Sequence, residues 1–294
     1  MQDRPLLGIA LMAGFCLLVP IGDGLSKLAA GTVPVLYIVA ARFFAQGLLL
    51  APSLRGGVPR NLLIPMAIRA ALHAGGMALL FVSLRYLPLA DAIAIAFVTP
   101  LLVLLFGRVF AGEEVGPTRL VACTLGFLGT LLVLQPNLAS AGLVALLPLG
   151  VAVSFAAFML MTRTLTRRIA AVPLQAVSGL MVSALLLPLV LFTPYSPLTG
   201  QDLALLSVIG VLGTAAHLLM TWSLRYAPSA TLAPIQYLEI PVAVAVGAVL
   251  FGDLPGPLAS VGILVTIGAG LLALRSESRI AARSRRTDLR PPPL

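Results

Sequence analysis

Charge is the scarcest property of this 294-residue chain: Asp, Glu, Lys and Arg together make up 10% of it, against about 25% in an ordinary soluble domain. So little charge cannot cover a water-facing surface, and the 60% hydrophobic content with a mean hydropathy of +1.07 makes the chain an integral membrane protein. Lysine is nearly absent: Lys27 stands alone behind Ser26, so the Gly-Lys pair of a P-loop, and with it an ATPase subunit, is excluded. Cysteine is limited to Cys16 and Cys123, both in apolar runs without Cys-x-x-Cys spacing, which argues against a redox pair or a zinc framework and for small core residues. Neither His-Glu-x-x-His nor Gly-x-Ser-x-Gly occurs, which argues against an enzyme of the intramembrane protease or hydrolase kind. No metal or cofactor is expected.

What the chain does contain is long apolar runs. Read between charges and Pro/Gly breaks, they predict ten membrane-spanning helices at about 6–29, 34–51, 62–85, 88–110, 119–135, 143–163, 173–193, 203–224, 229–251 and 256–275. The fold class is all-α, and the connections leave no room for a folded extramembrane domain. With the N-terminus in the cytoplasm, Arg4, Arg55, Arg60, Arg69, Arg108, Arg119, Arg163, Arg167, Arg168, Arg225, Arg275 and five arginines of the tail all fall on the cytoplasmic side, sixteen of nineteen basic residues. The net charge of +9 is thereby explained by topology, and no nucleic-acid partner is needed. The tail, 276–294, has too little apolar surface to fold and is expected to be disordered.

A shift of 140 positions aligns Ser83-Leu84-Arg85-Tyr86-Leu87-Pro88-Leu89-Ala90 with Ser223-Leu224-Arg225-Tyr226-Ala227-Pro228-Ser229-Ala230, and pairs Gly107 with Gly247, Gly112 with Gly252 and Gly116-Pro117 with Gly256-Pro257. The chain is therefore an internal repeat, 1–137 and 138–275. Five spans per copy is an odd number, so the second copy enters the membrane inverted, the arrangement of secondary transporters that alternate access around a midplane site. Such a carrier saturates and shows counterflow, which separates it from a channel.

Lys27 followed by Ala41-Arg42-Phe43-Phe44, Pro100 ahead of Gly112-Glu113-Glu114, and Pro234-Ile235-Gln236-Tyr237 leading to Phe251-Gly252-Asp253 give the chain a resemblance, from residue 6 to 275, to the EamA-type drug/metabolite transporter superfamily, with the YddG-type amino-acid exporters as the first subgroup to compare. The resemblance implies a secondary carrier of small metabolites in a bacterial inner membrane, with both termini cytoplasmic, lipid around it and an amino acid or similar metabolite as substrate. Export of amino acids is the leading expectation. The alternative is an uptake carrier or exchanger for larger metabolites, nucleotide-linked or nucleoside-type.

An ionisable group inside a span is costly and is read as functional by default. Glu239 lies within the ninth helix with Gln236 three positions before it, flanked by Pro234 and Pro241, so that helix should bend at the acid; Pro100 does the same for the fourth. Glu239 and Gln236 either line a cavity or hold two helices together. His73 and His217 sit centrally in the third and eighth spans and serve either as proton relay or as bonded core residues. Asp23 with Lys27, and Arg42 on the next helix, suggest an acid between two cations, either a gate or a clamp. Phe97, Trp222 and Tyr237 are candidate apolar walls. Ala122, Gly126 and Thr130 align with Gly262, Thr266 and Gly270 as a ladder of small residues, which forms either a seam between helices five and ten or a homodimer face.

Overall fold

In the computed structural model, residues 4–87, 89–136, 142–193 and 197–288 are described, and ten helices among them are long and apolar enough to span a membrane. The first three spans are Pro5–Ala29, Val35–Leu50 and Leu63–Ser83; the fifth to eighth are Pro117–Leu134, Leu146–Thr166, Ala171–Phe192 and Gly200–Tyr226. Their outer faces carry the grease that lipid requires, with Leu48, Ile64, Phe110, Leu191 and Val249 all largely exposed. The eighth span opens with a reciprocal cap: Asp202 N–H donates to Thr199 Oγ1 at 3.2 Å, and Thr199 N–H donates to Asp202 Oδ2 at 3.0 Å.

The fourth and ninth spans are broken, as their prolines predict. The fourth consists of Leu89–Ala96 and Thr99–Ala111. In the ninth, Ser229–Leu232 passes through a 3-10 stretch, Ala233–Leu238, into Glu239–Phe251. The prolines act differently from a simple bend in one helix. Pro100 and Pro241 lie in the first turn of the second half-helices, where a missing N–H leaves nothing unsatisfied. Pro234 instead lies in the 3-10 segment, whose carbonyls of Ile235 and Gln236 face the thiol of Cys16 at 3.6 and 3.9 Å. Thr99 and Glu239, aligned by the repeat, each open one of these second half-helices.

Packing obeys the repeat. The first span packs on the eighth and the third on the sixth, while the second pairs with the seventh and the fifth with the tenth. Exchanging copies turns the first pairing into the second and leaves the last two unchanged, as a pseudo-two-fold requires. The small-residue ladder is the seam of the fifth and tenth spans: a Cβ on Gly262 would lie 2.6 Å from the carbonyl oxygen of Gly129, so the backbones touch. That ladder is consumed inside one chain and offers no face to a second copy.

The last helix runs as Pro257–Asp288, past the span Pro257–Ser278 and into the stretch expected from sequence to be disordered. Glu277, buried at 4% exposure, accepts from Arg119 at 2.7 Å, and this pair pins the helix where hydrophobicity has already run out. Residues 289–294 lie outside the described residues. Arg69 and Arg163, counted to the arginine-rich end by sequence, are buried within the bundle.

Candidate functional site

A cavity of about 450 Å³ lies between the two repeats. Its floor is at mid-depth, where Phe15, His73, Thr99, His217 and Gln236 meet, and its walls rise past Leu80, Val133 and Leu134 toward the arginine-poor end. The half of the bundle beneath the floor is packed solid: Met12, Met220, Leu224 and Ala227 are fully buried. The broken spans supply this floor because each ends a half-helix there, which lets Phe97, Thr99, Gln236 and Glu239 reach one space.

Six aromatic or imidazole rings line the cavity among more numerous aliphatic side chains. His73 and His217 lie 4.8 Å apart by centroid. Phe43 meets His73 edge-on at 5.1 Å, Phe15 meets His217 at 6.0 Å, and Phe155 stacks on Phe158 at 5.5 Å behind them. Against this apolar lining stand a few polar atoms. Among the described residues, His217 Nδ1 and Gln236 Nε2 are buried without a hydrogen-bond partner, and burying such groups alone costs about 1–3 kcal/mol each. Both belong to lining residues. Glu239 also lines the cavity, and its carboxylate makes no hydrogen bond or ion pair among the described residues.

A second network holds the floor in place. Arg69 donates to Thr162 Oγ1 and Ser178 Oγ, both at 2.6 Å, and to Gln175 Oε1 at 3.1 Å, with its guanidinium over the Phe158 ring. Gln175 in turn donates to the carbonyl of His217 at 2.9 Å, and Gln46, a lining residue, donates to the carbonyl of Gln175 at 2.8 Å. Sequence reasoning missed Arg69, Gln175 and Gln46 as members of one unit. The available signal was the run of polar residues Thr162, Gln175 and Ser178 on spans otherwise apolar.

Other expected residues separate. Asp23 accepts from Arg42 at 2.9 Å on the cavity wall. Lys27 does not join them: it reaches Asp253 at 3.5 Å and lies over the Phe251 ring, because one helical turn carries it beyond the wall to the bundle end. Trp222 lies outside the cavity lining. Tyr237 is fully buried, its ring pressed on Gly126 and its hydroxyl donating to the Phe97 carbonyl at 3.2 Å; it packs the kink and does not reach the cavity. Among the described residues no cluster suited to a metal ion occurs.

The sequence pattern of the EamA-like transporter family matches residues 6–135 and again 142–275. The chain belongs to the EamA-like transporter family. It is thus a membrane transporter of two repeated halves, and no enzyme. A riboflavin transporter of Rhizobium johnstonii is 31% identical over 72% of this chain and 70% of its own length, and one of Brucella anthropi is 29% identical over 72% and 76%. An S-adenosylmethionine uptake transporter of Rickettsia felis is 22% identical over 89% of this chain and 90% of its own. A crystal structure of 20% identity superposes with a TM-score of 0.76 over 92% of this EamA chain and 98% of that chain, a likeness of fold.

Proposed function

We propose that this transporter takes up a flat heteroaromatic metabolite of the flavin or nucleoside type, and that His73, Phe97, His217, Gln236 and Glu239 contact it. The observation that carries the reading is the cavity itself: rings of Phe15, Phe43, Phe97, His73 and His217 around two unpartnered polar atoms. Stacked rings bind a planar solute through its face, and an amide N–H with an imidazole nitrogen suits the imide and hydroxyl groups of such a solute. A volume near 450 Å³ lies within the range of small-molecule pockets. The relatives named riboflavin transporter point the same way.

Amino-acid export is the weaker reading, because the relatives are named for riboflavin and S-adenosylmethionine. S-adenosylmethionine is the second reading, favoured by one feature: a cationic sulfonium would suit the unpaired carboxylate of Glu239. In either case the carrier would sit in a bacterial inner membrane with its arginine-rich end in the cytoplasm.

The test is uptake of radiolabelled riboflavin into liposomes holding the purified protein. Saturable uptake, competed by flavin analogues and not by leucine or methionine, is expected. Saturable counterflow of amino acids without riboflavin uptake would overturn the proposal, and uptake of S-adenosylmethionine alone would favour the second reading.

A further inference from the structure

The two ends of the bundle carry related sequences but differ in one carboxylate's engagement. At the arginine-rich end Glu113 is engaged across the repeats: its carboxylate accepts from Ser229 N–H at 3.0 Å, from Ala230 N–H at 2.8 Å and from Ser229 Oγ at 2.8 Å. It thereby ties the end of the fourth span to the start of the ninth, where N–H groups have no helical partner of their own. The 140-residue shift maps Glu113 onto Asp253, and Ser229 and Ala230 onto Leu89 and Ala90 at the start of the fourth span. The two backbone bonds of the tie could therefore form at the arginine-poor end, where Leu89 has no hydroxyl to supply the third. In this structure Asp253 is not so engaged: it is 66% exposed, and Lys27 at 3.5 Å is its hydrogen-bonding partner among the described residues.

The local backbone is nevertheless the same in both copies. Gly112 and Gly252 are left-handed at φ 62° and 73°, conformations that favour glycine. The N–H groups of Glu113 and Asp253 then return to the carbonyls of Gly107 and Gly247 at 2.9 and 3.3 Å. Gly107 is filled by the tie, since a Cβ there would lie 2.8 Å from Glu113 Oε2 and 3.3 Å from Ser229 Oγ. At its mate, Gly247, the nearest atom among the described residues is Asp253 Cβ at 4.0 Å. The same turn is thus present at each end, and among the described residues the tie is made at one.

We propose that Glu113 and Asp253 are alternating latches of the transport cycle. Glu113 closes the arginine-rich end while the cavity faces the arginine-poor end. On reversal Glu113 lets go of Ser229 and Ala230, and Asp253 leaves Lys27 to accept from the backbone at Leu89 and Ala90 beside Gly247. Asp253 is one methylene shorter than Glu113, so its latch is the weaker, which matches the end found open. The proposal requires alternating access and no particular substrate, so failure of flavin uptake would leave it standing.

The test is a distance across the arginine-poor end. Spin labels at Tyr86→Cys and Leu254→Cys, both exposed positions, are read by electron–electron double resonance in lipid nanodiscs; the native Cys16 and Cys123 are buried and take no label. Glu113→Ala is expected to move the equilibrium roughly five-fold or more toward a shorter distance, the size of a lost helix cap. Ser229→Ala, a milder change that spares the carboxylate, shifts it less in the same direction. Adding Asp253→Ala, which removes the acceptor, to Glu113→Ala abolishes the short population, whereas adding Asp253→Glu preserves it. An unchanged distribution in both the Glu113 and Ser229 variants, or a short population that survives Asp253→Ala, would overturn the proposal.

Discussion

The imidazole rings of His73 and His217 stand 4.8 Å apart by centroid, although the internal repeat aligns His217 with Met77 and not with His73. The pair is therefore an asymmetric feature on a symmetric frame. The two rings also differ in their commitments. His217 has a buried Nδ1 without a partner among the described residues, while His73 is held among Phe43, Phe155 and Phe158.

From that difference, His217→Phe keeps the ring and removes the nitrogen. Its KM for the transported solute is expected to rise about tenfold, the worth of one buried hydrogen bond. His73→Phe is expected to change KM by less than about threefold. Concentration-dependent uptake into proteoliposomes measures both, and equal effects would remove the special role of His217.

Glu239→Gln preserves shape and removes a charge inside a span. Because the carboxylate faces the cavity and holds no helix through a hydrogen bond, folding and insertion should be unchanged while flux falls at least about tenfold. Melting temperature and initial uptake rate in the same preparation separate the two effects. A lower melting temperature with normal flux would make Glu239 a structural residue.

Arg42 and Asp23 form an ion pair whose acid is half exposed, so its contribution to stability is expected to stay below about 1 kcal/mol. Asp23→Asn should hardly move the thermal midpoint. It does free the Arg42 guanidinium on the cavity wall, and inhibition of uptake by added anionic analogues is expected to strengthen.

Two glycines of the tenth span give opposite results on the same substitution. Gly262→Ala drives a Cβ to 2.6 Å from a backbone oxygen that cannot move aside, and should destabilise by about 1–3 kcal/mol. Gly268→Ala meets nothing within 4 Å and should be neutral or stabilise by up to about 1 kcal/mol, through helix propensity. Thermal unfolding followed by tryptophan fluorescence at Trp222 reads both.

Much was legible along the chain because a bilayer imposes a harsh rule on composition. Span number and the breaks at Pro100 and Pro234 follow from apolar length and from a missing N–H, both local properties. The site was legible only in part. Gln236, Glu239, His73, His217 and Phe97 were found as costly or bulky groups in mid-span, and they meet in one cavity. Lys27 was grouped with Asp23 by helical spacing, yet its partner Asp253 lies 226 residues away. Trp222 and Tyr237 share the chemistry of wall residues, but the arrangement of the helices turns one outside the cavity lining and buries the other against Gly126.

The sequence by itself determined that the chain crosses a membrane ten times, that it is built twice over, and where its helices break, since each follows from hydropathy, period or backbone chemistry along the chain. Tertiary structure alone decided which end of the bundle is closed, which polar atoms are left without a partner, and which acid, Glu113 or Asp253, is engaged. These depend on distances between spans, and a carrier with near-equal halves keeps two such arrangements within reach of one sequence.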